Sequence, residues 1–162
     1  MTRLVLIDNT VLSNFALVGR ESLVMRLWPT AACTTLAALN EYKAGASRGL
    51  LPPNAWAGLP LVTLDKDEAA FAAGLSRRLG KGERTCLAAA VHRRGRLASD
   101  DRDARRAARA HDVPRTGTVG ILALCVRQGF LPKAEANAIL GKMIALGYRS
   151  PINSLDPLID EP

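Results

Sequence analysis

The stretch Leu4-Val5-Leu6-Ile7-Asp8 constrains the fold more than any other part of the chain. Four apolar residues run without polar alternation and stop on a carboxylate. A strand with one wet face alternates, whereas an unbroken apolar run is what a strand covered on both faces requires. Such strands belong to parallel sheets with helices on either side. An Asp at the C-terminal end of one sits where open α/β sheets place their ligands.

The rest of the chain follows the same alternation. Residues 31–34, 61–64 and 97–99 read as further short strands, and Val113 is the candidate for a last one. Helices are expected over 11–18, 21–27, from Thr34 or Thr35 to about Ser47, from the Asp65/Glu68 capping pair to about Leu79, over 83–94, 103–111 and 119–128, and from Pro132 to about Leu146. In the third of these, Leu36, Leu39 and Tyr42 are spaced for one buried stripe. Gly80-Lys81-Gly82 reads as a break, and the proline-rich stretch 49–60 as a loop. Strands alternating with helices imply an α/β fold: a three-layer α/β/α sandwich around a central, mostly parallel sheet. At 162 residues, one domain is expected, over 1–149, with 150–162 as a tail or short helix.

Charge is unevenly placed. Residues 77–115 hold twelve Lys and Arg against five Asp and Glu, while the remainder holds ten of each, so the whole excess of +7 lies in that segment. A concentrated basic segment attracts polyanions such as RNA. Aromatic residues are only 4% of the chain, which argues against base stacking as the main contact. The three cysteines, Cys33, Cys86 and Cys125, form no CxxC pair and lie in apolar context, as core thiols of a reducing cytosol do. No apolar run approaches the roughly 20 residues of a membrane helix, so a soluble, cytoplasmic protein is expected.

Acids recur where the strands end. Asp8 closes the first strand and Asp100-Asp101 the fourth; in a parallel sheet these ends share an edge. Glu83 opens the helix that leads into the fourth strand, and Glu41 lies within the third helix. Carboxylates clustered without paired histidines suit Mg²⁺ or Mn²⁺, which prefer hard oxygen ligands. Each acid also has a plain structural role open to it: Asp8, Asp100 or Asp101 as a helix cap, Glu83 as a first-turn acid favoured by the dipole, Glu41 as a solvated helix residue. Arg102, Arg105, Arg106 and Arg109 follow directly, with 102, 106 and 109 on one helix face and Arg105 beside them. Acids for a cation next to arginines for phosphate are the groups phosphodiester hydrolysis uses.

The run Leu4-Val5-Leu6-Ile7-Asp8-Asn9-Thr10-Val11-Leu12 resembles the opening of the PIN-domain ribonucleases, in particular the short toxin members of toxin–antitoxin pairs. Helical Glu41, Gly80-Lys81-Gly82-Glu83 before an Ala-rich helix, Leu97-Ala98-Ser99-Asp100-Asp101-Arg102-Asp103, Thr116-Gly117-Thr118-Val119-Gly120 and the ending Gly147-Tyr148-Arg149-Ser150 are similar in order and spacing. The resemblance implies that Asp8, Glu41, Glu83 and Asp101 hold one or two Mg²⁺ or Mn²⁺ ions, with Asp100 and Asp103 as alternates for the fourth acid. It implies supporting hydroxyls from Thr10 and Thr118. It further implies a metal-dependent endoribonuclease, an RNA substrate, a small antitoxin partner and a homodimer. The family often has Asp where Glu83 stands and a different triplet where this chain has Asp8-Asn9-Thr10. Two rivals remain: a nucleic-acid-binding α/β module without catalysis, and an aspartate-nucleophile phosphatase, whose second acid is missing because Thr10 holds its place.

Overall fold

The computed structural model describes residues 2–160. The last two residues of the expected tail, 161 and 162, lie outside the described residues. Five parallel strands form the central sheet: β1 (Val5–Ile7), β2 (Ala32–Thr35), β3 (Leu61–Val62), β4 (Arg96–Ala98) and β5 (Arg115–Thr116), in the order β3-β2-β1-β4-β5. The expected three-layer α/β sandwich is what the chain forms. β1 is central and buried along its whole length, as its unbroken apolar run requires.

Alternate side chains of β1 feed two cores. Val5 and Ile7 point into the larger one, with α1 (Asn9–Leu17), α2 (Glu21–Leu27), α7 (Thr118–Arg127) and α8 (Lys133–Ala145). Leu6 points into the other, with Cys33, Leu97, and the buried faces of α5 (Lys81–His92) and α6 (Arg102–Ala110). Between these layers, α3 (Leu36–Ser47) flanks the β2 side, and α4 (Lys66–Gly74) packs on α5. The segment after α8 is tied back: Leu155 is buried in the larger core, its amide donates to Asn137 Oδ1 at 2.8 Å, and a short α9 (Asp156–Ile159) follows. All three cysteines are free and buried. No helix among the described residues is long and apolar enough to cross a membrane.

The structure departs from the sequence reading in four places. Gly80-Lys81-Gly82 does not break a helix but starts one: Gly80 is the cap of α5, and Glu83 in its first turn reaches back to the Gly80 amide at 2.5 Å. The preceding helix α4 ends at Gly74, not Leu79, because the chain turns extended at Leu75. Val113 is a core plug and not the last strand; pairing begins beyond it, where the Pro114 carbonyl accepts from the Leu97 amide at 2.9 Å. Lastly, Leu36 does not join a buried stripe on α3 but stands 57% exposed, and the buried face is Ala38, Tyr42 and Gly45. Small residues let α3 approach α5, and the larger Leu36 is left at the rim.

Candidate acidic site at the strand ends

Asp8 is fully buried, one residue past β1. It caps α1, with Oδ1 accepting from the Asn9 amide at 2.6 Å. Its Oδ2 accepts from Ser99 Oγ at 2.7 Å and from Thr10 Oγ1 at 3.4 Å. Ser99 in turn accepts from the Asp101 amide at 3.1 Å, so one hydroxyl joins the ends of β1 and β4. Burial pushes the Asp8 carboxyl up to about 7; the Ser99 hydroxyl opposes this, the negative charge of Glu83 adds to it, the Asn9 amide opposes, and Glu41 adds again. An acid so placed shares its proton with solvent near neutrality.

Glu41 and Glu83 come to the same edge from α3 and α5. Glu41 Oε1 accepts from the Gly82 amide at 2.8 Å. This contact demands glycine: a Cβ on Gly82 would lie 2.7 Å from Glu41 Oε2 and 2.9 Å from the Ala38 Cα. Burial raises the Glu83 carboxyl above its ordinary value; the Gly80 amide opposes, and the charges of Asp101, Glu41 and Asp103 raise it further. Asp101 caps α6, with Oδ1 accepting from the Ala104 amide at 2.8 Å. Thus Glu41, Glu83 and Asp101 each spend one oxygen on a backbone amide, and no protein donor among the described residues holds the other. The plain structural roles and the shared edge coexist.

These carboxylates and hydroxyls, without His or Cys, fit a hard divalent cation in donor chemistry. Their mutual repulsion is what such a cation would relieve. No group of three or more Asp, Glu, His or Cys among the described residues is drawn together as a ready metal site, so a cation would have to pull the side chains inward.

Asp100 has a different occupation. Its oxygens accept from Asn14 Nδ2 at 3.0 Å, the Thr118 amide at 2.8 Å, Thr118 Oγ1 at 2.5 Å and the Tyr148 hydroxyl at 3.3 Å. Its amide donates to Thr10 Oγ1 at 2.9 Å. Asp100 therefore fastens α1, α7 and the segment after α8 to the end of β4. Thr10 and Thr118, expected as supporting hydroxyls, sit in this same network. Ser99, Asn14 and Tyr148 were not singled out by sequence. Asn14 carried a signal, as the polar interruption facing inward from an apolar helix, but its partner lies 86 residues away. Tyr148 lay in the Gly-Tyr-Arg-Ser ending; its phenol is pushed up by burial first and by the Asp100 charge second.

The arginines of α6 divide. Arg102, Arg106 and Arg109 are exposed on one face. Arg105 is half-buried and donates from Nη1 to the Ser99 carbonyl at 3.2 Å. Near Glu41 and Glu83, an apolar groove of about 530 Å³ opens beside β3; exposed Leu36 and Leu61 line it, with Lys81 and Arg84 among its walls. Arg84 Nε is buried there without a hydrogen-bond partner among the described residues.

No curated protein and no solved structure matches the chain. A family model described as a PIN domain matches residues 4–161 and so takes in every strand and every acid described above. With the five-stranded parallel sheet and the acids at its C-terminal edge, the match shows that the chain belongs to the PIN-domain family, whose fold is a nuclease fold.

Proposed function

We propose that this protein is a Mg²⁺- or Mn²⁺-dependent endoribonuclease that cuts RNA by water attack on a phosphodiester, leaving a 5′-phosphate and a 3′-hydroxyl. The observation that carries the reading is Asp8: a buried carboxylate at the end of the central strand, within the fields of Glu83 and Glu41. Asp8, Glu41, Glu83 and Asp101 would hold one or two ions. Asp101 is favoured as the fourth acid over Asp100, whose oxygens are taken by Asn14, Thr118 and Tyr148, and over Asp103, because Asp101 is the stronger charge on Glu83. A bound ion would supply Lewis-acid charge to the attacking water and the phosphate. Ser99 and the Asn9 amide fix the Asp8 carboxylate in place, so its charge is presented at the shared edge of β1 and β4. Arg102, Arg106 and Arg109 offer forked donors to backbone phosphates on the adjoining helix face, and Arg105 ties that helix to the end of β4 through the Ser99 carbonyl.

The biological setting we propose is that of a cytoplasmic toxin, a homodimer silenced by a small antitoxin. What supports a protein partner is the apolar groove beside β3, with two exposed leucines and an unpaired buried Arg84 Nε, a surface suited to an apolar segment that carries a carboxylate. A small protein encoded beside this one should co-purify with it and block cutting.

The test is direct. Purified protein should cleave single-stranded RNA with Mn²⁺ and not in excess EDTA, and Asp8→Asn should abolish cutting. Equal cleavage in EDTA would remove the metal from the mechanism. One observation favours a second reading, a binding module without catalysis: every acid caps a helix or holds a backbone amide, and none of them forms a ready metal site. Salt-sensitive RNA binding with neither bound metal nor cleavage would select that reading.

A further inference from the structure

The structure holds a second basic feature, which shares Arg102 with the α6 arginine face and extends beyond it. A cleft of about 730 Å³ opens between α6, β5, the start of α7 and the segment after α8. Four arginines from three separate parts of the fold line it: Arg102 and Arg105 from α6, Arg115 from β5, and Arg149 from the segment after α8. None of the four forms an ion pair among the described residues; the pairs present are Arg20–Glu135, Arg93–Glu68 and those of Lys133. Among the described residues Asp100 is the only acid in the lining, and both its oxygens are engaged by Asn14, Thr118 and Tyr148. Arg102, Arg115 and Arg149 are exposed, so their guanidiniums are held open to solvent while Arg105 is pinned to the Ser99 carbonyl.

The floor is closely packed. Gly117 and Gly120 line the cleft, and a Cβ on either would meet a neighbour at 2.6 Å: Asp100 Oδ1 at the first, Thr116 Oγ1 at the second. The first turn of α7 is thereby packed close against the end of β4, with Asp100 Oδ1 accepting from the Thr118 amide at 2.8 Å. All four cations are arginines, whose planar forks match phosphate oxygens in pairs. One aromatic ring, Tyr148, stands in the wall. The cleft meets the acidic edge directly, since Asp100 lies in its wall and Asp101 and Arg102 follow in the chain.

We infer that this cleft is a binding track for the phosphate backbone of the RNA strand on one side of the scissile bond, with Arg115 and Arg149 as phosphate ligands beyond the α6 face. The inference rests on the nuclease reading only for the word scissile; the binding itself does not need cleavage. A protein partner fits less well, because the lining brings four arginines together and is more polar than the groove beside β3.

The experiment uses the full chain carrying Asp8→Asn, so that RNA is not consumed. Binding of a labelled single-stranded RNA is followed by fluorescence anisotropy across a series of salt concentrations. Adding Arg115→Glu and Arg149→Glu should weaken binding at least about tenfold. It should also lower the slope of log affinity against log salt by about 1.4, at about 0.7 per phosphate contact on a single strand. The same charge change at Arg3 and Arg96, exposed at the opposite end of the sheet, should shift affinity less than about twofold. The neutral pair Arg115→Gln, Arg149→Gln should lose the same slope and guards against misfolding of the charge-reversed chain. Equal losses from both ends of the sheet, or an unchanged slope in both cleft variants, would overturn the inference. In the chain with Asp8 intact, the cleft variants should raise KM for RNA cleavage and leave kcat within about twofold. No cleavage by any chain, with binding still lost in the cleft variants, defeats the nuclease reading and leaves the track standing. Cleavage with KM unmoved does the reverse.

Discussion

Replacing Asp8 by Asn should stabilise the protein while destroying its activity. The Asp8 carboxyl stands at about 7 in the fold against 3.8 for an ordinary Asp. At about 1.4 kcal/mol per unit, keeping it ionised above neutrality costs roughly 4 kcal/mol. Asn removes that cost. It can keep the bond from the Asn9 amide through its oxygen, but must turn its NH₂ towards Ser99, which loses roughly 1–2 kcal/mol. The net gain is about 2–3 kcal/mol at alkaline pH, or roughly 4–10 °C in Tm for a chain of this size. The sign in pH follows from linkage. Because the folded value lies above the unfolded one, the wild-type contribution is complete below about 4 and is lost as pH rises to about 7. The gap between the two proteins should therefore be small, or reversed, near pH 5 and full near pH 8.5. Thermal unfolding in EDTA at both pH values measures it. Mn²⁺ should then raise the wild-type Tm and leave Asp8→Asn unmoved, by about 2.7 kcal/mol at a hundredfold excess over Kd. A variant less stable than wild type at alkaline pH in EDTA, or a gap independent of pH, would refute the reasoning that burial and the Glu83 and Glu41 charges strain Asp8.

Gly82→Ala should cost about 1–3 kcal/mol in urea unfolding, since the new Cβ meets the Ala38 backbone at 2.9 Å, and should cut cleavage by displacing Glu41. Asn14→Ala removes one donor from Asp100 and one from Thr118; about 1–2 kcal/mol of stability should go, measured the same way. Arg93→Ala strands buried Glu68, which accepts from the guanidinium at 2.6 and 2.9 Å. With Arg93 a third exposed and so partly screened, the loss should be roughly 1–3 kcal/mol at neutral pH. Arg93 lowers the Glu68 carboxyl, so that stabilisation exists above the unfolded value and fades as pH falls, and the difference from wild type should close in acid.

How much of this was readable in the chain depends on the range of the interaction involved. Asp8 was legible because its signal is local: an apolar run that stops on a charge. The Asp65/Glu68 capping box was legible for the same reason, with both halves inside four residues. Gly80-Lys81-Gly82 was misread as a break because glycine is ambiguous in isolation. Only α3, packed on it from 41 residues away, explains why Gly82 must lack a side chain. The four α6 arginines looked equivalent by spacing, and helical periodicity cannot tell that Arg105 turns inward to the Ser99 carbonyl.

The sequence by itself determined the layered α/β fold, the placing of acids at strand ends and the concentration of positive charge in residues 77–115. Those are consequences of hydrophobic periodicity and of chain order in a parallel sheet, and each can be read within a few residues. Tertiary structure alone decided which acid does what. Asp100 and Asp101 are adjacent and chemically identical, yet the first is consumed by Asn14, Thr118 and Tyr148 while the second caps α6 and faces Glu83. Their difference lies in partners brought from α1, α7 and the end of the chain. It was likewise the fold that put Arg115 and Arg149, 34 positions apart, on the walls of one cleft. Charge and proximity at such a site belong to the folded surface, because the chain carries the groups but only packing sets the distances between them.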